Sequence, residues 1–213
     1  MATMDFVVKK AAAPEFGKDV LEDADTISRG LDYDDDIGMV KYVDGRKIGV
    51  YFMPFSLYLA LKRRGIPTRQ FGVIGIVQKG EKYIMTMQSG RIVEAKGVGR
   101  VAEAPERRGL SFQGFASEWD ENPIEAAYAE LEEELGLEAG DVTEAKREFI
   151  MKDDEVLLAV LFRTELEEGV MRKLGSMAID KWEIKEMSLM AKADARKFLG
   201  DSPLLAVFDR LVA

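Results

Sequence analysis

The stretch Gly114–Leu137, GFASEWDENPIEAAYAELEEELGL, carries the punctuation of one short helix. Asn122 suits the N-cap, Pro123 the first helical position and Glu125 the third, a capping-box-like pattern. Gly136 stands where a helix closes in a left-handed residue. Between these signals Ile124, Ala127, Tyr128, Leu131 and Leu135 fall on one stripe at helical spacing. Glu130, Glu133 and Glu134 gather on a neighbouring face.

That face is electrostatically unfavourable. Glu130 pairs with Glu134 at i,i+4 and with Glu133 at i,i+3, and no Lys or Arg lies within the helix. Each like-charge pair costs about a few tenths of a kcal/mol in an isolated helix. A hard divalent cation reverses the sign, because Mg²⁺ prefers carboxylate oxygens and keeps water ligands. A solvated acidic face accounts for the same spacing, so both readings stand on the residues alone.

Glu121, seven residues, then AELEEELGL (Ala129–Leu137) resembles the Nudix box. That box reads Gly, five residues, Glu, seven residues, Arg-Glu-aliphatic-x-Glu-Glu-x-Gly-aliphatic. Glu121, Glu130, Leu131, Glu133, Glu134, Gly136 and Leu137 match in register. Phe115 stands where the opening Gly belongs, and Ala129 replaces the Arg. The resemblance implies an α+β fold, a Nudix-type α/β/α sandwich with a mixed sheet. It implies a Mg²⁺- or Mn²⁺-dependent hydrolase of the diphosphate bond in a nucleoside diphosphate linked to another group. It assigns metal contacts to Glu130, Glu133, Glu134 and the Gly114 carbonyl. It assigns water activation to Glu133 or Glu134, with Glu121 in the catalytic set. Glu183, and behind it Glu186, are candidates for a further carboxylate from outside the box.

Composition narrows the chemistry independently. The 213 residues hold no Cys and no His, which excludes disulfides, thiolate nucleophiles, Cys/His zinc sites and imidazole bases. Acid–base work falls to Asp, Glu, Lys, Tyr or metal-bound water. A formal net charge of -9 argues against DNA as the main partner. The longest apolar stretch, Val50–Leu61, is short and interrupted by Pro54 and Ser56, so no membrane span is expected. With no apolar leader at the N-terminus and no Cys, a soluble cytoplasmic protein is expected.

Around the box the chain divides at about residue 66. Residues 1–66 form an N-terminal extension and 67–213 the Nudix-like domain. Within the extension, Met39–Val43 and Lys47–Tyr51 predict a hairpin turning at Asp44-Gly45, and Pro54–Arg64 a helix. That helix is apolar beyond one narrow stripe, which predicts docking on the main domain or, as the alternative, a homodimer interface. The Asp-rich run Glu22–Asp36 reads as a solvated loop or a partner-facing surface. It lacks the Gly and Glu of a calcium loop, since Ile37 and Val43 hold those positions. Strands are predicted at Gln70–Gln78, Lys82–Gln88, Arg91–Lys96, Glu144–Met151, Val156–Thr164 and within Met177–Met187. Gly97–Ala102 reads as a turn, Ala104–Gly109 as a charged loop and Gly169–Gly175 as a mobile loop; helices follow at Ala191–Leu199 and Ser202–Val212.

The departures bear on activity. In the family the box Arg pairs with box carboxylates, and Ala129 cannot. Arg91, Lys96, Arg100, Arg107 and Arg108 are the upstream cations that could substitute. Trp119, Trp182 and Phe112 are candidate base-stacking rings, although an isolated aromatic is ordinarily core. Three functions follow: an active diphosphohydrolase, a catalytically impaired nucleotide-binding or regulatory module, or an assembly protein using its extension. The substrate markers of the ADP-ribose and NADH enzymes are absent, and the diphosphate is left unidentified.

Overall fold

The segment Gln70–Lys79, QFGVIGIVQK, is apolar on both faces, as a strand covered on two sides must be. It is the strand on which the molecule is assembled. The computed structural model describes residues 6–119, 122–178 and 183–213. In chain order the elements are β1 (Val7–Lys10), α1 (Lys18–Ser28), β2 (Asp36–Asp44), β3 (Lys47–Pro54), α2 (Phe55–Arg63), β4 (Gln70–Lys79) and β5 (Lys82–Gln88). Then come β6 (Arg91–Ala95), β7 (Gly99–Ala104), β8 (Arg107–Gly109), β9 (Phe112–Phe115), α3 (Ile124–Leu135), β10 (Thr143–Met151) and β11 (Glu155–Arg163). The chain ends with α4 (Glu168–Gly175), β12 (Ile184–Ala191), α5 (Lys192–Leu199) and α6 (Leu204–Leu211).

Ten of these strands form one mixed sheet in the order β1-β3-β2-β4-β11-β10, with β5, β8, β9 and β12 branching from it. β4 runs parallel to β11 along nearly its whole length. On its other side β4 meets β2 at Met39, β9 at Gly72–Gly75 and β5 at Gln78–Lys79, all antiparallel. The sheet does not close into a barrel.

Alternation along β4 and β11 sets the layers. Phe71, Val73 and Val77, with Val156, Leu158, Val160 and Phe162, pack on α3. Ile74 and Ile76, with Leu157, Ala159 and Leu161, pack on α5 and α6. Helices therefore cover both faces of a mixed sheet, the α+β sandwich expected. The α3 stripe is as read: Ile124, Ala127, Leu131 and Leu135 are in the core, and the Tyr128 ring lies 4.9 Å from that of Phe162.

The N-terminal hairpin forms as expected but extends the main sheet, with β2 joined to β4 and β1 parallel to β3. A third core lies on its outer face, where Ile37, Met39, Tyr51 and Met53 meet α1 and α2. Leu57, Tyr58, Leu59, Ala60 and Leu61 of α2 are all buried there. Each buried Leu contributes about 1.5–3 kcal/mol. The apolar surface of α2 is thus covered within the chain.

Several local expectations give way. Half of the supposed acidic loop is α1, whose Val20, Ala24 and Ile27 point inward while its acids face water. Asp34 accepts hydrogen bonds from the Ser56 amide and hydroxyl at 2.6 and 2.7 Å, holding the first turn of α2 from outside. The charged segment before β9 contains β7 and β8, paired with β6 and β5. Gly97 and Gly99 take φ of +82° and +87° in the turn that starts β7. Residues 168–175 are helical because Met171 is buried and Glu168 pairs with Arg172 one turn on, outweighing Gly169. The last strand starts at Ile184 and runs to Ala191, later than read.

Candidate functional site

The site is built where α3 faces β9. In an extended strand, alternate residues share a face. Phe112 and Ala116 point into the core beneath α3, and Gly114 shares their side. Both carboxylate oxygens of Glu130 sit directly over the Gly114 Cα: an added Cβ would lie under 3.0 Å from them. Glycine at 114 is required for that approach, not for a left-handed turn, since its φ is not positive.

Glu134 is 2% exposed, and its Oε1 accepts from the Gln113 amide at 3.4 Å. Two carboxylates of one helix therefore lie against two successive residues of one strand. Glu133 is half-buried on the same helix, while Glu132 is exposed. Glu121 and Trp182 lie outside the described residues. The helix that carries the carboxylates is capped as its sequence indicates. The Asn122 side chain accepts from the Ile124 amide at 3.1 Å, and the Asn122 amide donates to Glu125 at 3.0 Å. Gly136 closes the helix at φ +66°.

Among the described residues, no group of three or more Asp and Glu is arranged to cage a metal ion. The donor set is nonetheless all oxygen, and glycine leaves the space beside the strand to a carboxylate. Mg²⁺ characteristically binds through one or two carboxylates, retained waters and substrate phosphates. Glu130 and Glu134 fit that mode of binding rather than a complete protein cage.

Phe115, the residue in the place of the box glycine, points to the opposite side. Its ring lies 5.9 Å from Phe55 and 5.4 Å from Tyr58, both on α2. Phe115 is extended strand and needs no positive φ, so a side chain is accommodated there without backbone strain. Tyr58 is held protonated by burial, with Asp154 and Glu155 adding to the effect, and its hydroxyl is hydrogen-bonded to Gln70.

The proposed substitutes for the box Arg are placed elsewhere. Arg100 binds Glu103, Arg107 binds Gln88 and Arg108 binds the Phe198 carbonyl, at 2.7–2.8 Å. Arg91 donates to Glu183 at 2.7 Å and stacks over Tyr33 at 5.1 Å. Glu183 thus precedes β12 as half of an ion pair with Arg91, and Glu186 is exposed and bonded to Ser188. Trp119 is core, edge-on to Phe52 at 5.0 Å, and Phe112 is fully buried, so neither offers a face to a base. Sequence reasoning missed Gln113 and the role of Phe115. The alternation Phe112-Gln113-Gly114-Phe115 was the available signal for both.

No family model matches the sequence, and no curated protein matches it. Solved structures similar in fold include Nudix hydrolases. DR0079 from Deinococcus radiodurans aligns at a TM-score of 0.50 and 11% identity, covering 68% of this chain and 84% of that one. An Ap4A hydrolase from C. elegans aligns at 0.43 and 11% identity, over 66% of this chain and 93% of its own. A hydrolase of the NUDIX family from Clostridium perfringens aligns at 0.41 and 17% identity, over 67% and 98%. These likenesses are of fold: a mixed sheet between helices.

Proposed function

We propose that the chain is a metal-dependent hydrolase of a diphosphate bond in a nucleotide derivative, with its site on α3 and β9. The observation that carries this reading is the seating of Glu130 and Glu134 against Gly114 and Gln113. Two carboxylates seated on neighbouring residues of one strand repel an anionic substrate unless a cation intervenes. Mg²⁺ or Mn²⁺, when bound, neutralises the diphosphate and acidifies a water. Glu130 and Glu134 would hold such an ion, with the Gly114 carbonyl as a further oxygen donor. Glu133 accepts the proton of the attacking water; a new P–O bond forms to that water's oxygen and the bridging P–O bond breaks. Glu121 belongs to the same catalytic set. Glu183, tied to Arg91, serves as an outer positioning carboxylate at most.

Ala129 favours a second reading, a binding module without turnover, because no guanidinium at that position orders the carboxylates. One experiment separates the two. Wild type and Glu133→Gln are assayed for phosphate products on ADP-ribose, dinucleoside polyphosphates and nucleotide sugars with Mg²⁺, and nucleotide binding is followed in parallel. The hydrolase reading expects turnover that falls by about 10²- to 10⁴-fold in the variant while binding survives. Binding without turnover in the wild type would install the module reading. Equal turnover in both proteins would remove Glu133 from the chemistry.

A further inference from the structure

We infer that the N-terminal layer positions the candidate site, with Phe115, Phe55 and Tyr58 acting as positioning residues for Glu130 through strand β9. The inference rests on the metal-site reading above and goes beyond it by naming what orders the carboxylate. β9 is four residues long and is paired to β4 along one side. A strand that short is held in place largely by what grips its side chains and its ends. Phe112 anchors one end beneath α3. At the other end Phe115 is clasped by the Phe55 and Tyr58 rings, and the Gly38 amide of β2 donates to the Ala116 carbonyl at 2.8 Å.

Both grips come from the first 66 residues of the chain, and both hold the strand just beyond Gly114, at Phe115 and Ala116. The Glu130 carboxylate lies on Gly114 so closely that a shift of about a methyl radius in the strand is passed to it directly. Ala129 carries no guanidinium, so the strand is a means of ordering that ligand which does not depend on the helix's own side chains. The bulky ring in the box's glycine position then has a purpose: it couples the extension to the site.

The resemblance alone leads to the opposite expectation, that glycine at 115 improves the site, and this makes the inference testable. Mn²⁺ binding is measured by electron paramagnetic resonance, with and without methylenediphosphonate. The proteins are wild type, Phe115→Gly, Phe115→Leu, Phe55→Ala and Leu211→Ala, the last a core truncation in α6 away from β9. Phe115→Gly and Phe55→Ala are expected to weaken Mn²⁺ by about 10- to 100-fold, as loss of a ligand's supporting contacts does. Phe115→Leu is expected to restore most of the affinity, and Leu211→Ala to match wild type. Unchanged or tighter binding in Phe115→Gly, or an equal loss in Leu211→Ala, overturns the positioning role. No Mn²⁺ uptake by wild type under either condition overturns the metal reading instead. Amide exchange across Gln113–Phe115 then decides the coupling: exchange raised in Phe115→Gly but not in Leu211→Ala supports it, and no selective rise overturns it.

Discussion

Gly114 shows how one hydrogen atom in place of a side chain sets the chemistry available here. Replacing it with Ala places a methyl inside the Glu130 carboxylate, so either the side chain rotates away or β9 retreats from α3. Overpacking of this kind typically costs about 1–3 kcal/mol. The expected outcome of Gly114→Ala is a folded protein with lowered denaturation midpoint and turnover reduced at least about tenfold, read by urea titration and product release. Asp36 gives a pH test at the same scale. Partial loss of solvent around the otherwise exposed carboxyl raises its pKa above the usual 3.8, and Glu118, Asp34 and Asp35 push it further in the same direction. A raised carboxyl pKa means the folded state holds its proton more tightly than the unfolded one. Its contribution is therefore most favourable below the unfolded pKa and is lost as pH rises through the folded value. Asp36→Asn should raise the melting temperature slightly near pH 7 and leave it unchanged near pH 3. Because Asp36 is exposed and Lys10 neutralises part of Glu118, the gain is small.

Helix α3 is the element the sequence defines most fully, and its ends carry measurable energy. Asn122→Ala removes the acceptor for the Ile124 amide and should cost about 0.5–2 kcal/mol in chemical denaturation. Gly136→Ala is expected to cost more. It forces an L-residue to φ +66°, and its Cβ would stand 2.5 Å from the Leu174 carbonyl oxygen of α4. The caps, stripe and acidic face were legible because each is a short-range pattern that fixes its own geometry. What lay opposite the acidic face was not legible, because the approach of Glu130 to Gly114 joins segments sixteen residues apart through the pairing of β9 with β4. The misread elements are rich in charge or glycine, and contacts with distant partners select their structure: burial of Val20 and Ile27 for α1 and of Met171 for α4, and strand pairing with β6 and β5 for β7 and β8.

At the scale of the molecule the open point is whether residues 67–213 form a unit without the first 66. The sequence places a boundary at about residue 66, between α2 and β4, and the box lies wholly beyond it. Packing argues for dependence. Without residues 1–66, the β4–β9 edge loses β2, the first core loses Val40, Ile48 and Val50, and the Phe115 ring is stripped of both its partners. Bared apolar surface of that extent marks an aggregation-prone fragment, and a strand edge left unpaired adds a second hazard. We expect the 67–213 fragment to be poorly soluble or loosely packed, with weak near-ultraviolet circular dichroism and exposed apolar surface by dye binding. Co-expression with residues 1–66 as a separate chain should restore a cooperative melt, because the contacts between the two pieces are extensive and largely apolar. A fragment that melts cooperatively alone would make the extension a separable domain. Its retained or lost Mn²⁺ affinity would then measure, apart from stability, how far the N-terminal layer governs the carboxylates of α3.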